Sequence, residues 1–363
     1  MPVLRSIFDV LNQTNDWLSF KPGLERVSKA LDQLNRPDRH FQAFTMGGTN
    51  GKGTVSFHLA DRFGEGTGLF ISPHLVNIRE RISIQGKWID DKYWQLAYGE
   101  ILSKTDGNFT YFEWLFLTAC VLFKMKQCKY AIFEVGMGGR LDAVNALDPT
   151  CSAITSVALD HQKFLGNTIE DIAFEKVQIC RKGKPFFLPS CLLEFPKVRD
   201  TIERVSPELV LFPATKSYSD NFTLVDAISG YFDLTLKPFR QLPGRREIMA
   251  EKYFFDTAHN EAAWLDTLKW MKNRGISQIN ILFGLTGKRK PMIFKKCFSP
   301  ITKNIYAWGG HIVNSIPFQE YKLAGVNTIE NLDDLIKEPL LICGTHSLVG
   351  IMREKILSYI GKT

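Results

Sequence analysis

No stretch of these 363 residues stays apolar for the ~20 positions that a membrane-crossing helix requires. No segment repeats, and none falls into low complexity. The opening run MPVLRSIFDVLNQTNDW mixes acidic and amide residues into its apolar pattern and has no small-residue cleavage site, which argues against a signal peptide. Seven cysteines, at 120, 128, 151, 180, 191, 297 and 343, form no CxxC pair and no Cys/His zinc spacing. An odd, scattered set fits a reducing compartment, so a soluble, cytoplasmic protein without a membrane partner is expected. Long blocks of one charge are also missing. The net charge of +7 is dispersed, and only KRK at 288–290 forms a short run, so nucleic acid is not the expected partner. Anionic small molecules suit the same balance.

What is present is a chain too long for one hydrophobic core, so two domains are expected. Short apolar runs alternate with longer helical patterns, the sign of an α/β fold with a mainly parallel sheet. Strands are expected at Gln42–Met46, Gly68–Ile71, Tyr130–Val135, Ala153–Leu159 and Pro185–Leu188. A second series is expected at Tyr253–Phe255, Ile279–Phe283, Asn304–Trp308 and Leu340–Cys343. Helices fit at Leu24–Leu34, Phe112–Gln127, Thr168–Cys180, Ala262–Asn273 and Ser347–Ser358. The pattern weakens between Cys191 and Leu242, and a Pro/Gly break near residue 240 separates domains 1–240 and 241–363.

Unusual polar residues gather where strands are expected to end, which is where ligands sit in open α/β sheets. They are the loop after the first strand, Ser72, Glu134, Asp160-His161, Asp256 and His259. The loop reads Met46-Gly-Gly-Thr-Asn-Gly-Lys-Gly-Thr54, between a strand and a helix. Its glycines let backbone N–H groups curve around phosphate oxygens, with Lys52 adding positive charge. The pattern GxxxxGK[ST] is not met, because Gly53 follows Lys52 before the hydroxyl residue. A plain glycine turn with an exposed lysine is the other reading. Glu134 closes an apolar strand, where a carboxylate needs a metal or a partner such as Arg140. His161 fits a satisfied core residue as well as a ligand, Lys176 a surface lysine, and Tyr111 and Phe112 core aromatics.

GTNGKGT resembles the phosphate loop of the folylpolyglutamate synthase / dihydrofolate synthase family of the Mur ligase superfamily. Further segments are similar to that family in order: Ile71-Ser-Pro-His-Leu75 with Arg79-Glu-Arg-Ile82, Thr110-Tyr-Phe-Glu113, and Phe133-Glu-Val-Gly-Met-Gly-Gly-Arg-Leu-Asp-Ala143 with Asn145. Asp160-His161 with Leu165-Gly166, Thr168-Ile169 and Glu175-Lys176 continues the series, as do Pro243-Gly-Arg245, Asp256-Thr-Ala-His-Asn260 and Gly344-Thr-His-Ser-Leu-Val-Gly350.

The resemblance implies a P-loop central domain and a smaller Rossmann-like C-terminal domain. It implies ATP bound by Thr49, Asn50, Gly51, Lys52, Gly53 and Thr54, with Asn221, Arg245 and Asp256 also on the nucleotide. Two Mg²⁺ sites would use Ser72 with Glu134, and His161 with a carbamylated Lys176. Thr110, Tyr111, Phe112, Glu113, Leu141, Asp142 and Ala143 would border a pterin, and His259 would steady the transferred phosphoryl group. The implied reaction is ligation of L-glutamate to dihydropteroate and to folates through an acyl phosphate, by a monomer.

Some features depart from the family. The EKAGI pattern reads Glu175-Lys-Val-Gln-Ile179, an acidic stretch of the second domain reads Gly284-Leu-Thr-Gly-Lys-Arg-Lys290, and 54–68 and 191–242 are shortened. A monofunctional folylpolyglutamate synthase, a murein-precursor ligase and a non-catalytic ATP-binding module are the competing readings.

Overall fold

The computed structural model describes residues 6–13, 21–215, 217–287, 289–310, 312, 315–333 and 335–361; residues 1–5 and 14–17 of the opening run, and Lys288 of the basic run, lie outside the described residues. They group into two compact units, 6–72 with 79–239 and 73–78 with 240–361. Among the described residues no helix is long and apolar enough to cross a membrane.

The first unit is built on an eight-stranded sheet: β1 (Gln42–Gly47), β2 (Thr67–Phe70), β3 (Ile82–Ile84), β4 (Lys87–Trp88), β5 (Tyr130–Glu134), β6 (Cys151–Ile154), β7 (Pro185–Pro189) and β8 (Glu208–Phe212), in the order β4-β3-β2-β5-β1-β6-β7-β8. All neighbours are parallel except at β3 and β4. β1 and β5 carry continuous apolar runs because helices cover both faces of the sheet. Phe44, Met46, Val55, Leu59 and Leu69 share one core layer with Leu224 and Ile228 from the helix Asp220–Tyr231. The chain leaves β1 toward β2 on one side and later adds β6 on the other. The carboxyl end of β1 is therefore a switch point, where a parallel sheet opens a crevice.

The second unit has a six-stranded sheet: β9 (Glu247–Met249), β10 (Tyr253–Asp256), β11 (Ile279–Gly284), β12 (Thr302–Trp308), β13 (Asn327–Ile329) and β14 (Leu340–Gly344), in the order β13-β12-β11-β14-β10-β9. β10 and β14 run parallel with Asp256 opposite Cys343, so residues 257–259 and 344–346 emerge side by side.

The fold class agrees with the sequence reading, with one informative difference. The strand expected over Ala153–Leu159 is Cys151–Ile154. Beyond it, Thr155 and Ser156 turn their hydroxyls onto the Asn50 carbonyl, 2.7 and 3.0 Å away, while Thr49 N–H donates to the Ser156 carbonyl at 2.7 Å. Those residues brace the glycine loop instead of extending the ladder. The weakly patterned 191–242 region holds the helix Pro196–Val205, β8 and the helix Asp220–Tyr231.

Candidate active site

The loop after β1 enters the helix Lys52–Phe63 through Gly51, whose φ of +88° is closed to ordinary side chains. A Cβ there would fall 2.0 Å from Asn221 Oδ1, so Asn221, which is buried, lies directly on the loop. At Gly53 a Cβ would stand 3.2 Å from Glu134 Oε2, which puts the helix N-terminus against the end of β5. Thr49 is fastened to Ala158 through both backbone groups, at 3.3 and 3.1 Å. Thr54 Oγ1 is buried with no hydrogen-bond partner among the described residues, which suits a hydroxyl that meets a ligand.

Glu134 is 4% exposed and its Oε2 accepts from the Ser72 backbone N–H at 2.8 Å. Arg140, the partner considered for it, is paired with Glu175 instead. Ser72 and Glu134 are thus adjacent, and a carboxylate with a serine beside the glycine loop offers the kind of oxygen donors that magnesium takes.

Lys176 is not a surface lysine. It is 3% exposed, and its Nζ donates to the Gly48 carbonyl at 2.8 Å. Lys52 Nζ donates to the same carbonyl at 3.1 Å and to that of Thr49 at 3.2 Å. Burial, then the charge of Lys52, push the Lys176 ammonium down to about 7, against the pull of Asp160 and Asp142. A lysine neutral near pH 7 can take up CO₂, so the carbamate expectation fits this environment.

His161 is exposed, with φ +50°, and begins the short helix Gln162–Leu165; its backbone N–H donates to Asp160 at 2.9 Å. Among the described residues no three His, Cys, Asp or Glu side chains gather as a metal-ligand group.

The residues expected along the pterin converge. The Phe112 ring and the Asp142 carboxylate both lie against Gly136. Asp142 accepts from the N–H groups of Met137 (2.8 Å) and Val144 (3.0 Å), and burial raises its carboxyl to about 6. This places Leu141 and Ala143 on either side of a pinned turn. Glu113 has an internal task as well. It closes a capping box with Thr110 at the start of the helix Tyr111–Met125, and it pairs with Arg26 at 2.8 Å. The sequence reading did not single out Arg81, which is buried with its guanidinium 5.3 Å from the Tyr111 ring centroid. Burial lowers its proton affinity, opposed by Tyr111, Glu134 and Glu80. Its signal was present in the Arg79–Ile82 stretch.

In the second unit, Arg245 follows the Pro243-Gly244 turn and hydrogen-bonds Thr257 Oγ1 and, at 2.8 Å, His346 Nε2. His259 Nδ1 lies 3.0 Å from the Thr257 carbonyl. Asp256 is buried and accepts from Thr267 Oγ1 at 2.8 Å; burial raises its carboxyl, while Thr267, Arg246 and Arg245 lower it.

Residues 46–189 match the Mur ligase middle domain. A dihydrofolate synthase/folylpolyglutamate synthase of Bacillus subtilis is 39% identical over 178 residues, 46% of this chain and 41% of that protein. The Escherichia coli protein of the same name is 37% identical over 208 residues, 56% of this chain and 48% of its own length. By sequence match, then, the chain spans less than half the length of these two relatives. The match in three dimensions is longer. E. coli FolC in complex with DHPP and ADP superposes with a TM-score of 0.87 at 25% identity, covering 98% of this chain and 99% of that one. In its glycine loop, its two-sheet fold and these likenesses, the chain is similar to dihydrofolate synthase/folylpolyglutamate synthases, and residues 46–189 carry the Mur ligase middle domain.

Proposed function

We propose that this protein is an ADP-forming ligase that joins L-glutamate to the carboxylate of dihydropteroate and of (tetrahydro)folate. The observation that carries the reading is the convergence of Lys52 and Lys176 on the Gly48 carbonyl, in a loop packed against Glu134 and its partner Ser72. That is machinery for a nucleotide phosphate chain rather than a simple turn. The substrate class is supported by the likeness to dihydrofolate synthase/folylpolyglutamate synthases and by the DHPP and ADP bound by E. coli FolC.

In this reading Thr49–Thr54 hold the phosphates of ATP, Lys52 meets their charge and Asn221 flanks the loop. Ser72 and Glu134 hold one Mg²⁺, and His161 with carbamylated Lys176 hold a second. Bound there, magnesium supplies charge neutralisation to the transferring phosphoryl group. Tyr111, Phe112, Leu141 and Ala143 line the pterin, with Asp142 fixing their turn and Glu113 anchoring the helix that carries the aromatics. Arg245, Asp256 and His259 serve the nucleotide and the transferred group. A carboxylate oxygen attacks the γ-phosphorus and ADP leaves; the glutamate amine then attacks the activated carbonyl, loses a proton and expels phosphate. The working unit is a monomer.

The test is to incubate the protein with ATP, Mg²⁺ and glutamate, offering dihydropteroate or a tetrahydrofolate, and to identify products by mass. Each acid should gain one glutamyl residue for each ADP formed. Gain on tetrahydrofolate alone would select the monofunctional reading. ADP formation that needs neither acid nor glutamate would sink the ligase.

A further inference from the structure

We propose that His346 is a positioning residue that aims Arg245 at an anionic group, so that the second unit presents a fixed cation rather than a mobile one. This rests on the reading of Arg245 as a nucleotide contact.

The argument starts from donors and acceptors. A guanidinium has no acceptor, so at 2.8 Å the His346 Nε2 must accept from Arg245. The imidazole is therefore neutral, with its proton on Nδ1. Thr257 Oγ1 accepts a second Arg245 N–H. Thr257 is itself fixed, its N–H donating to the Gly244 carbonyl at 2.9 Å and its carbonyl receiving the His259 Nδ1 proton at 3.0 Å. Two acceptors on different elements pin one planar fork, and its remaining N–H groups are left for a ligand.

The fold makes this arrangement possible. β10 and β14 are parallel neighbours, so Thr257 and His346, both just past the strand ends, come together although His346 lies 101 residues beyond Arg245. His346 opens the helix His346–Ile360, whose N-cap is Thr345. The groups that face its ring include Arg245 from the turn before β9, the His259 ring at 5.5 Å after β10, and the peptide dipoles of its own helix start. Asp256 closes β10 nearby, bonded to Thr267, and Glu247 is tied to Arg353. A proton added to His346 Nε2 would remove the acceptor and set an imidazolium against the guanidinium and the helix N-terminus. Acid therefore releases Arg245.

Steady-state kinetics of the full chain, with ATP varied and dihydropteroate and glutamate saturating, test this across pH 5.5 to 8.5. His346→Leu removes the acceptor, and a fall of about 10–100-fold in kcat/KM for ATP is expected with the unfolding midpoint unchanged. His346→Gln restores an uncharged acceptor, so it should recover most of that loss and flatten the acid limb expected of the unsubstituted protein. Equal loss in both variants, or an unchanged acid limb in His346→Gln, overturns the inference; so does His346→Leu with undiminished kcat/KM. Arg245→Ala separates the two readings. If that variant is impaired while His346→Leu is not, the positioning idea alone fails. If Arg245→Ala turns over normally, the assignment of Arg245 fails first.

Discussion

At the scale of single residues, Lys176 carries a marked tension, an amine enclosed by protein whose acceptor, the Gly48 carbonyl, is shared with Lys52. Its proton affinity in the fold, about 7, lies well below the ordinary lysine value of 10.5. Between those two pH values the unfolded chain binds a proton that the folded chain does not. Stability should therefore rise as pH goes from about 7 to about 10.5, and the full penalty is in place below about 7. Lys176→Met removes the titrating group. Thermal melts should show the variant stabilised by ~1–4 kcal/mol at pH 7, with a flatter response from pH 7 to 10. Turnover should be lost, and added bicarbonate should stimulate the unsubstituted protein alone. A variant that keeps full turnover would remove Lys176 from the site.

Gly51 gives a second prediction at this scale. An alanine there is strained at φ +88° and overlaps Asn221. Gly51→Ala should cost about 1–3 kcal/mol in chemical denaturation and weaken binding of a non-hydrolysable ATP analogue. Asn221→Gly in the same background relieves the overlap but not the strain. Partial recovery of stability in the double variant is expected, and no recovery would mean that the overlap is not the cause.

Among the elements, the helix Tyr111–Met125 shows how a motif can do two jobs. Thr110 and Glu113 close its N-terminal box, and Arg26 ties Glu113 to the helix Glu25–Gln33. Thr110→Ala should lower stability by about 1 kcal/mol in urea denaturation, the usual worth of such a cap. If the loss also raises KM for the pteroate substrate without changing that for ATP, the box serves to present Tyr111 and Phe112. Elements of this kind were legible in the sequence because helical periodicity and cap chemistry coincide. β1, β5, β10 and β14 were legible for a different reason: central parallel strands are buried on both faces and read as unbroken apolar runs. Edge strands were not. β8 mixes exposed, half-buried and buried residues without a period, and the edge strands β4, β9 and β13, like β3 beside β4, are three residues long or fewer, too short for any period to register. The glycine loop, Glu134 and Ser72 could be read from local order along the chain. The Arg245–Thr257–His346 cluster could not, since only the adjacency of β10 and β14 assembles it.

For the molecule as a whole, the sharpest question is whether phosphate and amide chemistry are linked through one oxygen atom. If an acyl phosphate forms, a carboxylate oxygen of the pteroate becomes the bridge to phosphorus. When the glutamate amine attacks the carbonyl carbon, that bridge breaks on the carbon side and the oxygen departs with phosphate. Dihydropteroate carrying ¹⁸O in both carboxylate positions should therefore yield inorganic phosphate with one heavy oxygen and an amide that keeps the other. Mass spectrometry of the two products reads both fates at once. Unlabelled phosphate would mean that ATP is split by water, which would leave the Lys52 and Glu134 loop as a hydrolase or a binding module. If the proposed ligation holds, the dispersed excess of cations, +7 overall, would suit its anionic substrates, and the same experiment at raised salt should slow turnover without altering the label. A change of label with salt would indicate that activated carboxylate escapes to solvent before the amine arrives.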